Sequence, residues 1–240
     1  MLKRFAICAL ALAGLIGFAA HAADEATVRQ AFQAKFPKVT VESVTKTGFA
    51  GIYEIVMDGQ VFYTDEKTSY LFSGNLLDIR AGEPRNLTQE ASNKLVAATL
   101  AKSTDLAVKR VKGNGKRVLY SFEDPNCGYC KELQKELAKI NNVTIYTFLW
   151  PILSNDSIEK SKAIWCAKDR GKAWEEAMIK GTVTAGKRDC DTPFEKNAQL
   201  AQRFGIRGTP GLYMGNGQQI GGYVAADKIE AALAGPPGGR

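Results

Sequence analysis

The sequence has a single histidine, His21. It lies in an N-terminal segment with the pattern of an export signal, so removal of that segment would leave a chain without histidine. Two basic residues precede an apolar run over residues 5–20, and the small-residue pattern Ala20-His21-Ala22 predicts that residues 1–22 are a signal peptide cleaved after Ala22. A membrane anchor is the alternative, but the apolar run is short for a span. A mature chain without histidine excludes imidazole general-base catalysis and histidine-containing metal sites.

Long runs of one charge are also lacking. Lys and Arg number 32 against 25 Asp and Glu, a net charge of +7, but basic and acidic residues are interspersed. No basic stripe is interleaved with aromatic residues. We therefore expect the charge to serve solubility and predict no binding to nucleic acid.

The chain has few cysteines, and an even number of them remains once the predicted signal peptide is removed. Cys8 leaves with the signal, and Cys127, Cys130, Cys166 and Cys190 remain. An even count in an exported chain implies disulfides. The chain is long enough for two domains with cores of their own, so we expect the cysteines to do more than stabilise the fold.

Residues 23–83 predict a small domain of one helix and an antiparallel sheet. Helical spacing over residues 24–36, with Asp24 as cap and Pro37 as stop, is followed by short β-rich runs. A domain this small leaves a sheet edge exposed, so it is either a dimerisation module or a lone appended domain. The predicted strands are Gly51–Met57, Val61–Thr64, Tyr70–Phe72 and Leu76–Ile79.

Residues 84–112 predict a linker with a helix over 88–103, capped by Thr88, that acts as a semi-rigid arm. Residues 113–240 predict a second domain that opens with a strand, a helix and a parallel strand. A helical stretch over about 155–204, a hairpin and a last helix follow. The elements are Arg117–Phe122, Cys127–Ile140, Val143–Leu149, Gly211–Met214 paired with Gln218–Tyr223, and Ala226–Leu233.

The motif Cys127-Gly128-Tyr129-Cys130 lies where the predicted strand ends and the helix begins. The unpaired N–H groups and partial positive charge of a helix start stabilise a thiolate, which is the attacking species in disulfide exchange. Cys130 lies one turn further on, close enough to form a disulfide with Cys127. The pattern therefore favours redox catalysis, with Cys127 attacking and Cys130 resolving.

Three other interpretations of this motif stay open. The pair could be half of a zinc site completed by Cys166 and Cys190, although four-thiolate sites usually combine two CxxC knuckles and the second pair is widely spaced. It could be a structural disulfide, although such bonds usually close longer loops. It could also be two unrelated buried thiols.

A second signal is Gly208-Thr209-Pro210-Gly211, directly before a predicted strand. Proline cannot donate to a strand ladder, so Pro210 marks an edge or a turn, where cis bonds occur. An ordinary loop proline is the alternative. Alone this segment is a weak signal, but together with the upstream CxxC motif and the following hairpin it becomes a specific indication of the fold.

These motifs resemble the thioredoxin fold, and the whole arrangement resembles the DsbC family of bacterial periplasmic disulfide isomerases. The resemblance rests on the small first domain, the linker helix, the helical insertion with Trp165-Cys166-Ala167-Lys168-Asp169-Arg170, and the CGYC and Thr209-Pro210 motifs. The second cysteine pair favours this family over the related DsbG proteins.

The resemblance implies a cystatin-like dimerisation domain, a V-shaped homodimer and an apolar cleft between two CGYC sites. It implies a cis Thr209-Pro210 loop that supports the cysteines together with Gly128 and Tyr129 and pairs with extended substrate. The expected partners are misoxidised exported proteins and a membrane reductase resembling DsbD, in the periplasm and without a cofactor. The rival functions are a DsbG-like reductase, a disulfide oxidase, or a chaperone.

The resemblance also implies that Cys166 and Cys190 form a structural disulfide, the alternative being a second redox-active pair. Trp165 and Trp174 are expected to pack the insertion. Thioredoxins carry a buried acid where this chain has Ser121. Glu123 and Asp124 could substitute for it, but we expect both to be solvated loop acids.

Overall fold

The computed structural model describes residues 24–49, 51–183 and 186–235. The predicted signal peptide and the C-terminal tail from residue 236 lie outside these ranges. Among the described residues, none of the helices is long and apolar enough to span a membrane.

The first domain packs helix α1 (Glu25–Lys35) on an antiparallel sheet, as the sequence predicted, and the sheet has four strands in the order β1-β2-β3-β4. The Asp24 carboxylate caps α1 by accepting from the Thr27 N–H at 2.6 Å. Val28 and Phe32, one turn apart, bury the inner face of α1 against the sheet. The strands are β1 (Val41–Lys46), β2 (Ile52–Met57), β3 (Gln60–Asp65) and β4 (Leu71–Phe72).

The last strands of this domain are shorter than predicted. β4 has two residues, and β5 (Leu77–Asp78) pairs with β6 (Arg85–Asn86) rather than with the main sheet. Most of the large apolar side chains in this part of the domain are exposed to solvent. The exposed residues are Tyr70, Leu71, Phe72, Leu77 and Ile79.

Helix α2 (Leu87–Lys102) is the predicted linker helix, but its cap was predicted wrongly. Asn86, not Thr88, caps it, and its side chain accepts from the Gln89 N–H at 3.0 Å. Thr88 already lies in the helix. Its hydroxyl lies 2.6 Å from the Tyr63 hydroxyl and accepts from the Leu76 N–H at 2.8 Å, so it ties α2 to the first domain.

Helix α2 packs on both domains. Ala91 and Leu95 contact the first-domain sheet, whereas Val96 and the fully buried Leu100 belong to the core of the second domain. Gly217, in a turn of the second domain, lies so close to α2 that a Cβ there would collide with the backbone of Asn93. The linker helix is therefore held along its length by packing.

A second contact joins the domains away from α2. The Arg203 guanidinium donates to the Glu42 carboxylate at 2.6 Å, and the other oxygen of Glu42 accepts from the Gly59 N–H at 2.7 Å. Asp58 and Gly59 form the predicted hairpin turn, and both have positive φ, 50° and 76°.

The second domain contains a five-stranded mixed sheet in the order β11-β10-β8-β9-β7. β8 and β9 are parallel, as predicted, and the other pairs are antiparallel. Residues 108–112, predicted to belong to the linker, instead form the edge strand β7 of this sheet. The strands are β7 (Val108–Lys112), β8 (Arg117–Glu123), β9 (Val143–Leu149), β10 (Gly211–Met214) and β11 (Gln219–Gly221).

Helices cover both faces of this sheet. Helices α3 (Gly128–Lys139) and α7 (Ala226–Ala234) pack together on one face, where Leu133, Leu137 and Ile229 are buried. On the other face, α6 (Phe194–Arg203) and the end of α2 cover an aromatic core that contains Phe122 and Phe148. This layered α/β arrangement is the fold that the resemblance implied.

The insertion is helical only in part. α4 (Asn155–Trp165) and α5 (Arg170–Glu175) form, and α5 continues through a wider π-type turn, Glu176–Lys180. That turn ends at Gly181, whose φ is +70°. The described residues between Gly181 and α6 form no helix, so the helical stretch predicted over about 155–204 is interrupted.

Candidate active site

The CGYC motif lies at the start of α3, directly after β8. Cys127 is the N-cap residue, with extended backbone, and its Sγ accepts from the Cys130 N–H at 3.4 Å. The sulfur therefore occupies the place that a Ser or Asp oxygen takes in other helices, where the orphan N–H groups favour negative charge.

The second predicted motif lies against this sulfur. The Thr209–Pro210 peptide bond is cis, and the Cys127 thiol donates to the Thr209 carbonyl oxygen at 3.2 Å. Only 6% of Cys127 is exposed, whereas 69% of the neighbouring Tyr129 is exposed. The two motifs are thus adjacent in space, although 82 residues separate Cys127 from Thr209 in the chain.

Cys130 is fully buried and shares an apolar cluster with both tryptophans of the insertion, Trp165 and Trp174. Burial raises the pKa of the Cys130 thiol, and the neighbouring Glu123 raises it further. The cysteines therefore differ in environment: one sulfur borders the surface at a helix start, and the other is held as a neutral thiol inside. The tryptophans pack the insertion onto this pair, as expected.

Glu123 and Asp124 were predicted wrongly to be solvated, because both are fully buried. β8 extends one residue further than predicted, and Glu123 is its last residue. The Glu123 carboxylate accepts from the Ser121 hydroxyl at 2.7 Å and from the Gln134 amide at 2.8 and 2.9 Å. Burial raises the pKa of Glu123, while Arg110 and these hydrogen bonds act in the opposite direction.

Asp124 organises the turn that leads to Cys127. One carboxylate oxygen accepts from the Asn126 N–H at 2.7 Å, and the other accepts from Ile152 and Leu153 at 2.8 and 3.0 Å. The Asp124 carbonyl also accepts from the Cys127 N–H at 3.1 Å. This single side chain therefore joins the active-site turn to a segment whose apolar Ile152 and Leu153 side chains are exposed.

Sequence reasoning missed several residues of this site. Asn126 donates to Asp156 at 2.8 Å and accepts from Lys160 at 2.8 Å, which fastens the turn to α4. Gln134 could have been found, because it lies four residues after Cys130 and so on the same face of α3. Arg110 could not, because its strand β7 was not predicted.

Cys166 and Cys190 are joined by a disulfide, with their Cα atoms 5.7 Å apart. Beside it, the Trp165 indole N–H donates to the Asp191 carbonyl at 2.9 Å, and the Arg170 guanidinium stacks on the Trp165 ring at 3.6 Å. Because these two sulfurs are bonded to each other, they do not complete a four-thiolate zinc site with Cys127 and Cys130.

Two known families match separate parts of the chain. Residues 19–89 match the family described as the disulfide bond isomerase protein N-terminal domain, and residues 104–235 match the thioredoxin-like domain. The second match begins before β7, in agreement with the place of that strand in the sheet.

Individual relatives share most of the chain. A probable thiol:disulfide interchange protein DsbC of Bordetella parapertussis is 40% identical over 209 residues, which cover 86% of this chain and 73% of that protein. The DsbC of Salmonella typhimurium is 30% identical over 97% of this chain and 96% of its own length. A crystal structure of a disulfide interchange protein from Neisseria gonorrhoeae is 40% identical, with a TM-score of 0.53 over 55% of this chain and 96% of that one.

Proposed function

This chain belongs to the DsbC family of thiol:disulfide interchange proteins, and we propose that it isomerises incorrect disulfides in exported proteins through Cys127 and Cys130. The observation that carries the proposal is the asymmetry of the pair. Cys127 is the N-cap of α3 beside the cis Thr209–Pro210 bond, and Cys130 is fully buried behind it.

In the first step, the Cys127 thiolate attacks one sulfur of a substrate disulfide. A bond forms between Cys127 Sγ and that sulfur, the substrate disulfide breaks, and the second substrate sulfur leaves as a thiolate. The helix start stabilises the charge on Cys127 before the attack and whenever Cys127 is expelled again. Tyr129 and Gly128, both exposed between the cysteines, lie where the substrate arrives.

The mixed disulfide can then react in two ways. A substrate thiolate can attack the substrate sulfur of the mixed disulfide, which makes a new substrate disulfide and returns Cys127 as thiolate without net oxidation or reduction. Alternatively, the Cys130 thiolate attacks Cys127 Sγ. A Cys127–Cys130 disulfide forms, and the substrate leaves as a thiol, reduced by two electrons. A reductase resembling DsbD would then return the pair to the dithiol.

The surface around Cys127 suits an extended, partly unfolded substrate. The backbone beside Pro210 offers hydrogen-bonding groups next to the reacting sulfur, and backbone pairing recognises a chain without regard to its sequence. Exposed Tyr129, Ile152 and Leu153 add apolar contacts. We propose Thr209 and Pro210, with Gly128 and Tyr129, as the substrate-binding support of the site.

The first domain is proposed to dimerise the protein. Its β4 and β5 segments expose Tyr70, Leu71, Phe72 and Ile79, and contiguous exposed apolar side chains commonly mark a protein interface. Homodimerisation through this domain, in the periplasm, would place two CGYC sites around one substrate. Analytical ultracentrifugation of the mature chain tests this proposal, and a monomer at micromolar concentration would contradict it.

The test of isomerisation is refolding of a scrambled, multi-disulfide substrate in glutathione buffer with catalytic amounts of the protein. We expect recovery of substrate activity that disappears in Cys127→Ala. The control is the double variant Cys166→Ala/Cys190→Ala, which should still catalyse while it is folded. Oxidation of reduced substrate alone, or reduction alone, would contradict the proposal and assign the site to an oxidase or a reductase.

Suppression of aggregation of a cysteine-free unfolded protein separates a chaperone activity from redox chemistry. The exposed apolar side chains predict that Cys127→Ala retains any such activity. If Cys127→Ala also retained catalysis of refolding, the protein would be acting as a chaperone, and the redox assignment would fail.

A further inference from the structure

Glu123 lies under the helix turn that carries Cys130. Gln134 follows Cys130 by four residues, so the two side chains share the buried face of α3. The Gln134 amide donates to both oxygens of the Glu123 carboxylate, at 2.9 and 2.8 Å. Its own oxygen finds no partner in the described parts of the chain. This orientation suits an ionised carboxylate, which can only accept.

A line of hydrogen-bonded side chains reaches Glu123 from the other side. Arg110 of β7 donates to the Thr147 hydroxyl at 3.3 Å, the Thr147 and Ser121 hydroxyls lie 3.1 Å apart, and Ser121 donates to Glu123 at 2.7 Å. A guanidinium only donates, a carboxylate only accepts, and each hydroxyl has one proton. The Ser121 hydroxyl is placed to donate to Thr147 or to Glu123, and the shorter contact, to the carboxylate, is the one that stabilises a charge on Glu123.

Arg110 adds a positive charge to this line of hydrogen bonds. The Arg110 side chain is 9% exposed, and its outer contact is Glu175 of α5 at 3.8 Å. Ser121, Glu123 and Thr147 are fully buried. A carboxylate is costly in such surroundings unless a cation and several donors compensate it, and Arg110 with its line supplies both. The groups that face Glu123 are thus Arg110 from β7 and Gln134 and Cys130 from α3.

We propose that the Arg110–Thr147–Ser121 line holds Glu123 as a carboxylate beneath Cys130, and that this charge keeps the resolving thiol protonated and so prolongs the mixed disulfide. The inference rests on the proposed function. Attack by Cys130 on Cys127 Sγ requires the Cys130 thiolate, which a neighbouring carboxylate disfavours. Exchange within the substrate does not involve Cys130. The buried charge therefore favours reshuffling of the substrate over its release in reduced form.

Glu123 could instead take the proton from Cys130 and speed this release. The two roles predict opposite effects of Glu123→Gln, which removes the charge and keeps the shape. The experiment preforms the mixed disulfide between Cys127 and glutathione, which carries one thiol and leaves attack by Cys130 as its intramolecular exit. Release of glutathione is followed by stopped-flow from pH 6 to pH 10.

We expect at least tenfold faster release in Glu123→Gln at pH 7, with the midpoint of the pH profile moved to lower pH. Slower release would show that Glu123 acts as a base, and unchanged release would show that its charge does not reach Cys130. Either result overturns the proposal. Glu132→Gln, an exposed residue of the same helix, is the matched control and should leave rate and midpoint unchanged.

Ser121→Ala breaks the line while the Glu123 side chain stays in place. Loss of a donor favours protonation of Glu123, so we expect a smaller acceleration in the same direction, and no acceleration would show that the line does not support the charge. Failure of the proposed function has a separate signature. In that case the wild-type protein does not reshuffle the scrambled substrate, whatever the rate of glutathione release.

Discussion

The two cysteine pairs of this chain share chemistry but not surroundings. Cys127 and Cys130 are free thiols three residues apart at the start of a helix, one sulfur beside the surface and the other above a buried carboxylate. Cys166 and Cys190 are bonded across a sequence separation of 24 in the insertion. Placement on the fold therefore distinguishes a pair suited to exchange from a pair suited to closing a loop.

The difference extends to how each pair is held. The disulfide is itself the covalent link between α4 and the segment before α6. The CGYC turn has no such link, and the polar side chains of the buried Asp124 and the partly buried Asn126 hold it instead. Asp124 fixes the backbone of Asn126 and the 152–153 segment, and Asn126 fastens the turn to α4. The Cys127–Cys130 pair, whose disulfide must form and break during exchange, is thus positioned by side chains that take no part in the reaction.

The largest expected effect is on trapping of substrate. Cys130→Ala should accumulate a mixed disulfide between Cys127 and the substrate, because attack by the resolving thiol is lost. Cys127→Ala should form none, because Cys130 is fully buried. Non-reducing electrophoresis with mass spectrometry measures this. Equal trapping by both variants would mean that substrate reaches Cys130 and that the pair is not divided in role.

Removal of the second pair should cost stability and spare the chemistry. Closure of a loop of this length restricts the unfolded chain by about 3.5 kcal/mol, so Cys166→Ala/Cys190→Ala should lower the free energy of unfolding by up to about that amount. Urea unfolding measures the loss. If catalysis by the still-folded variant were abolished, the second pair would belong to the redox cycle.

Asp124→Asn should weaken the non-covalent support of the first pair. The amide cannot accept at both ends from the N–H groups of Asn126, Ile152 and Leu153, so we expect a loss of about 2 kcal/mol. Urea unfolding measures this change, with exposed Asp105→Asn as the control of equal charge. A loss no larger than that of the control would show that Asp124 is not the fastening of the turn.

The smallest effect is a dependence of stability on pH. The pKa of Cys130 is raised in the folded protein, so the unfolded chain releases this proton first, near the ordinary value of 9.0. Stability is therefore full below pH 9 and falls above it, by at most about 1.4 kcal/mol per pH unit.

Cys127→Ala isolates this contribution, and Cys127→Ala/Cys130→Ala removes it. The difference between their unfolding free energies should widen from pH 8 to pH 10. Parallel curves would show that the folded state does not disfavour the Cys130 thiolate.

The parts of the fold that local signals encode were predictable. The CGYC motif at a strand–helix junction, the Thr209-Pro210 segment before a strand and the Asp58-Gly59 turn each combine a residue type with a fixed backbone requirement. The structure brings the first two together, although neither motif alone specifies that contact. Resemblance to a family, rather than periodicity, predicted it.

The errors share a physical origin in tertiary contacts. β7 has the sequence Val-Lys-Arg-Val-Lys, which is typical of a solvated linker, yet it forms the edge of the sheet by pairing with β9. Charged residues are common on edge strands because they discourage further pairing. Glu123 looked like a loop acid because its burial depends on β7 and α3, which approach it from distant parts of the chain.

Gly217 has a consequence for the shape of the whole molecule. The turn that contains it rests on the backbone of α2, with room for a hydrogen atom and not for a methyl group. A larger residue there would press on Asn93 and Ala97, near the middle of a helix about 24 Å long that packs on both domains. The lack of a side chain at Gly217 thus determines how closely α2, which also packs on the first domain, approaches the domain that carries the cysteines.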